Sequence, residues 1–165
     1  MTRRTFTVYN GAMPTTARIP LVTTGTAIKT MLQIKPTTQI TVVEWGFNFD
    51  VAPTALVSVE LLTTGTVGVA ALTDFVAADI IKSSDPGTAA SAISLAAEAS
   101  GYTSSSTEGT ITATRVLDYQ PTWAQSYSKQ WPLDRDWGVA ANDFLRVRVT
   151  TATAINMTCF ITWEE

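Results

Sequence analysis

Histidine is absent from the 165 residues, which removes the commonest general base and the commonest transition-metal ligand of proteins. A single cysteine, Cys159, allows neither an intrachain disulfide nor a multi-cysteine metal site. Charge is also scarce. Asp, Glu, Lys and Arg make up 15% of the chain and the net charge is −3, without the basic field of a general nucleic-acid binder. No apolar run approaches the roughly 20 residues of a membrane-spanning helix. Arg3 and Arg4 near the start are followed by no apolar stretch, so no signal peptide is expected.

What is present is hydrophobic and β-branched. Hydrophobic residues make up 45% of the chain, too many for disorder. Threonine occurs 29 times against four lysines. Thr suits a pleated, half-exposed surface, whereas Lys and Glu dress exposed helices. A chain of this length forms one domain and buries roughly 70% of its unfolded surface, so it needs no disulfide or metal to hold a core. Low charge also suits a surface that meets other protein, because interface cores are depleted of charge; a Thr-rich sandwich with a neutral surface reads equally well.

Period-2 alternation recurs along the chain and predicts strands near residues 5–9, 18–22, 26–34, 39–50, 55–62, 109–118, 126–131, 143–150 and 154–163, with a further short one at 92–96. The strongest, 39–50, puts Val43, Trp45, Phe47 and Phe49 on one face. Ala52-Pro53-Thr54 reads as a loop joining it antiparallel to 55–62, and Thr151-Ala152-Thr153 as the turn joining the last two strands. Leu145, Val147 and Val149 are expected to face in, with Arg146 and Arg148 facing out. Residues 69–82 carry helical spacing and form the one helix candidate. Eight to ten short strands and at most one short helix imply an all-β antiparallel sandwich, jelly-roll-like. Its expected core is Val43, Trp45, Phe47, Val57, Val59, Leu61, Leu145, Val147, Val149, Ile155, Met157, Ile161 and Trp163. Residues 1–16 read as an N-terminal arm and 17–165 as the single sandwich domain. An isolated strand has little stability, so the arm is expected to add to a sheet edge of a neighbouring subunit, with Arg3 and Arg4 meeting acidic groups there; pairing with its own sheet is the alternative.

Residues for chemistry are few. Cys159 alternates with Met157 and Ile161 and reads as core. Glu44 and Glu60 could neighbour one another as a carboxylate pair, and Asp134-Arg135-Asp136 lacks the spacing of a calcium loop. No catalytic, metal or cofactor site is expected, and the chain reads as non-enzymatic. Aromatic residues are more informative. Trp123, Trp131 and Trp137 cluster with Tyr119 and Tyr127 in the irregular stretch 119–142. They could be anchors of a protein interface, a sugar-stacking platform, or caps on the ends of the fold. The candidate partner-interface residues are Arg3, Arg4, Phe6, Tyr9, Trp123, Tyr127, Trp131, Arg135 and Trp137. The small-residue stretch 83–108 is a second candidate for a partner-facing loop.

Several phrases together carry a resemblance: Thr26-Ala27-Ile28-Lys29-Thr30-Met31-Leu32-Gln33, Val43-Glu44-Trp45-Gly46, Ser100-Gly101-Tyr102-Thr103 with Glu108-Gly109, Lys129-Gln130-Trp131-Pro132-Leu133, Leu145-Arg146-Val147-Arg148-Val149 and Trp163-Glu164-Glu165. Over residues 26–165 the chain resembles small β-rich virion structural proteins of tailed bacteriophages, although Asp134-Arg135-Asp136 stands where Gly-Arg is usual after Pro-Leu. The resemblance implies a capsid decoration or cement protein on the capsid exterior, made in the host bacterial cytoplasm. Its partners would be the major capsid protein and its own copies, in a homo-oligomer such as a trimer, with no nucleic acid and no membrane. The alternative is a carbohydrate-binding module, or a head-fibre or tail component attaching to host surface glycans.

Overall fold

Alternating residues settle as strands where one face can be buried against a second sheet. The computed structural model describes residues 4–13, 16–68, 72–83, 91–102, 108, 113–132 and 134–165. In chain order the strands are β1 (Thr5–Tyr9), β2 (Val22–Thr23), β3 (Lys29–Ile34), β4 (Ile40–Phe49), β5 (Val57–Thr63), β6 (Thr73–Asp74), β7 (Ile81–Lys82), β8 (Gly101–Tyr102), β9 (Arg115–Thr122), β10 (Ser126–Gln130), β11 (Trp137–Val139), β12 (Leu145–Thr151) and β13 (Asn156–Glu164). They form two antiparallel sheets packed as a β-sandwich. The first runs β10-β4-β13-β1-β7, with β11 beside β4 and β2 beside β13; the second runs β6-β8-β3-β12-β5-β9.

The core lies between the sheets. Trp45, Phe47 and Phe49 of β4 meet Val57, Val59 and Leu61 of β5, Leu145, Val147 and Val149 of β12, and Met157, Cys159, Ile161 and Trp163 of β13 in one buried cluster. Burying each large apolar side chain contributes about 1.5–3 kcal/mol. Two expected core residues, Val43 and Ile155, are only half-buried. The reason at Val43 is a β-bulge. Thr162 pairs with Glu44 but Trp163 pairs with Val42, so Val43 is the extra residue and the alternation changes phase there. Val42 and Ile40 turn inward in its place.

Three local expectations are corrected by the packing. First, β4 and β5 are not a hairpin, and neither are β12 and β13. The loop at residues 50–56 and the turn at 152–155 each cross from one sheet to the other, so that β4 pairs with β13 and β5 with β12. Nested pairing of this kind is jelly-roll-like. Second, no α-helix occurs among the described residues. The helical spacing at 72–82 resolves into β6, a single 3₁₀ turn at Ala77–Asp79 and β7. The Asp79 carboxylate accepts from the backbone N–H of Val76 at 2.9 Å and of Met13 at 2.7 Å, which ties that turn to the segment after β1. Third, residues 92–96 hold only an isolated bridge, from Ile93 to Pro36.

The expected arm belongs to the chain's own sheet. β1 lies between β13 and β7, paired with both. Phe6 is stacked on Trp163 with ring centroids 5.8 Å apart, and Val8 is fully buried. Arg4 does meet an acidic group, but in its own chain: its guanidinium is 3.5 Å from the Glu165 carboxylate. Arg3 lies outside the described residues.

Arg146 and Arg148 do point out of the second sheet, yet both are buried. Chain excursions lie over that face as a third layer. Arg146 donates to the Val67 carbonyl and forms an ion pair at 3.2 Å with Glu108, whose carboxylate also accepts from the backbone N–H of Thr30 and, at 2.9 Å, from its hydroxyl. Gln33, beside Arg146 in the register, donates to the carbonyls of Glu98 and Ala99. Arg148 pairs with Glu60 at 2.9 Å. Burial lowers the Arg146 guanidinium's hold on its proton and Glu108 opposes that; arginine remains charged, so the pair is an internal salt bridge.

Candidate functional site

The sheets end together at one corner. β9 is the edge strand of the second sheet, β10 an edge of the first, and residues 123–125 carry the chain between them. A second bulge, at Leu117, lets Asp118 pair with Leu61 and aim its side chain across the gap between the sheets. There its carboxylate accepts from Trp45 Nε1 at 3.0 Å, the Tyr127 hydroxyl at 3.0 Å and Gln120 Nε2 at 2.9 Å, and pairs with Lys129 at 3.4 Å. Burial alone would raise the Asp118 pKa. Hydrogen bonds from Gln120, Tyr127 and Trp45, with the charge of Lys129, outweigh it and hold the carboxyl below its ordinary range. Tyr127 is pushed up to about 12 by burial first and then by Asp118. Asp118 therefore ties β9 to β4 and β10 and sets the corner's shape.

On this frame the aromatic candidates separate. Trp123 stands out from the corner, 60% exposed. Tyr119 is exposed on β9, its hydroxyl 3.1 Å from that of Ser58, and Leu56 is exposed at the same end of the sandwich as Trp123, because Val57 pairs with Thr122. Tyr127 is half-buried, stacked on Phe47 and edge-on to Trp45. Trp131 is core, its backbone N–H bonded to Val43 and Lys129 over its ring, so it is not available to a partner. Trp137 is half-buried under the Arg115 guanidinium, 4.5 Å from its ring. Arg135 is exposed in a turn closed by its N–H to the Pro132 carbonyl, next to Asp134 at φ 67°. Phe6 is core as well, and Tyr9 is half-buried against Phe160. The eight candidates among the described residues are thus not one surface. Trp123 and Arg135 are the exposed ones among those described, and Phe6 and Trp131 are buried in the core.

Groups with chemical potential are dispersed. Glu44 and Glu60 sit on different sheets and do not form a pair. Burial pushes the Cys159 thiol well up, where it is a poor nucleophile. Burial pulls the Lys29 ammonium down, and it donates to the Thr23 carbonyl at 2.6 Å. Among the described residues no group of three or more acidic or cysteine side chains could hold a metal ion. No helix among them is long and apolar enough to cross a membrane. The sequence reading missed Asp118 and Glu108; each follows an unremarkable residue in the chain, and only the bulge or the third layer gives it a role.

No protein-family model, curated protein or solved structure matches the chain.

Proposed function

We propose that the protein is a non-enzymatic structural protein of a phage virion that decorates or cements the capsid exterior, binding the major capsid protein and its own copies. One observation carries this reading: Trp123 is 60% exposed at the corner, with Leu56 exposed beside it and Tyr119 exposed further along β9, on a chain that holds part of its scarce charge inside. Arg146, Arg148, Lys29, Glu108 and Asp79 are all buried. What remains outside is a Thr-rich surface with few charges and an exposed aromatic side chain, which suits protein contact: aromatic residues dominate interface energetics and charge is depleted at interface cores. Avidity over many copies on a shell lets each contact be modest. The resemblance to tailed-phage virion proteins supplies the partner.

The test is binding to purified shells that lack the protein. Trp123→Ala should weaken binding at least tenfold, or about 1.4 kcal/mol. Its melting temperature should hardly change, since a residue so exposed contributes little to the core. Unchanged binding by that variant, or failure of the protein to co-purify with virions in stoichiometric multiples of the capsomer number, would refute the reading.

A further inference from the structure

The first sheet's outer face carries a groove that the corner does not use. Strand register builds it. One row across four strands reads Ser128, Gly46, Phe160 and Tyr9; the next reads Ser126, Asn48 and Thr158. Gly46 makes the depression. A Cβ there would lie 2.8 Å from the Phe160 ring and 2.6 Å from the Tyr127 carbonyl, so only glycine lets that ring lie down on the sheet. Phe160 and Tyr9 stand side by side, ring centroids 5.8 Å apart and tilted 44°. The small side chains of Ser126 and Ser128 leave an open groove of about 740 Å³ beside them. Ligand clefts commonly run to about 300–1,000 Å³.

The groove's chemistry selects its occupant. Its outer-face lining offers the rings of Tyr9 and Phe160, the amide of Asn48 and the hydroxyls of Ser126, Ser128, Thr158 and Tyr9, and none of its lining residues is charged. An anion or a cation would find no counter-charge there. Elsewhere on the same face hydroxyls pair with one another, as Thr7 does with Thr162 at 2.9 Å. The side chains of Asn48, Ser126, Ser128 and Thr158, by contrast, have no hydrogen-bond partner among the described residues. A ligand that fits has flat C–H faces to lie on tilted rings and neutral hydroxyls to meet an amide and short alcohols. We infer that this groove binds a neutral saccharide chain, with Tyr9 and Phe160 as the stacking platform and Asn48 as the main polar contact. The sugar-stacking role therefore falls to aromatic residues on β1 and β13, not to the tryptophan cluster of 119–142.

The experiment uses the intact protein, labelled with nitrogen-15 and titrated with neutral oligosaccharides in gluco, galacto, manno, rhamno and N-acetylgluco configurations. The expected result is saturable movement of the Gly46, Asn48, Thr158 and Phe160 amide signals with at least one of them. Tyr9→Ala and Asn48→Ala should each weaken that binding at least tenfold with the melting temperature retained. Tyr9 is half-buried on the outer face and lies outside the core cluster, and Asn48 is exposed and makes no side-chain bond whose loss could unfold the protein. No movement with any of these sugars at about 10 mM, a concentration that would show even millimolar affinity, overturns the inference. So does movement confined to the Trp123 corner, or binding unchanged in both variants. Loss of shell binding in Tyr9→Ala without any sugar response would give the groove to a protein partner and also overturn it.

Discussion

Asp118→Ala tests whether the corner is held by one carboxylate. The substitution removes the acceptor for the Trp45 indole N–H, and Trp45 is fully buried, so water cannot replace it. A buried donor left unpaired costs about 1–3 kcal/mol. The Tyr127 and Gln120 bonds go as well, but those groups are only half-buried and can turn to solvent, adding about 1 kcal/mol together. Lys129 is 38% exposed and its pair with Asp118 adds less than about 1 kcal/mol. The total is about 2–4 kcal/mol, a fall in melting temperature of roughly 4–16 °C for a chain of this size. Thermal and urea unfolding at neutral pH measure it. Acid gives a second reading. Asp118 has its pKa depressed in the fold, so its contribution is present above the unfolded value near 4 and is lost as pH falls through the lower folded value. The difference between wild type and variant should therefore be constant at neutral pH and shrink in acid. A fall below about 2 °C, or a difference that persists undiminished in acid, would refute the clasp.

Three further outcomes follow from the same contacts. Tyr127, raised to about 12, should ionise well above the ordinary tyrosine value of about 10 in an absorbance titration, and its stabilisation should fade as pH rises from about 10, the unfolded value, through about 12; in Asp118→Asn its midpoint should drop. Glu108→Gln leaves the fully buried Arg146 without its counter-charge and should cost about 3–5 kcal/mol, read by urea unfolding, whereas the more exposed Glu60→Gln should cost less. Phe6→Ala should cost about 3–5 kcal/mol, because β1 is an interior strand, and a truncation removing residues 2–12 should fail to give a stable fold; a stable truncated protein would refute that placement.

Much of the architecture was legible because sheet burial is periodic. Trp45 with Phe47, Val57 with Val59, Leu145 with Val147, and Met157 with Cys159 each repeat every second residue, and a one-residue slip would turn each set to solvent. Bulges break that code without a local signal. Val42 and Val43 are adjacent valines that the sequence does not tell apart, and only its missing partner on β13 reveals that Val43 is the extra one. Which strands pair was also illegible. A Pro-containing loop and a Thr-rich turn read like hairpins, but each carries the chain to the other sheet, where burial of both inner faces is greater than in a two-stranded ribbon.

The functional surface divides the same way. Composition alone determined a chain rich in threonine, without histidine or paired cysteines and poor in charge, because those properties need no partner in space. Tertiary structure decided what each side chain does with its position. Trp131 and Trp123 are the same residue type eight positions apart, yet one is core and the other is 60% exposed at a corner. Arg146 alternates as a solvent-facing residue should, and is buried because a third layer with its own carboxylate comes down on it. Period-2 patterning records which side of its own sheet a residue occupies. It holds no information on whether distant chain covers that side, and that coverage is what separates an interior ion pair from a surface charge.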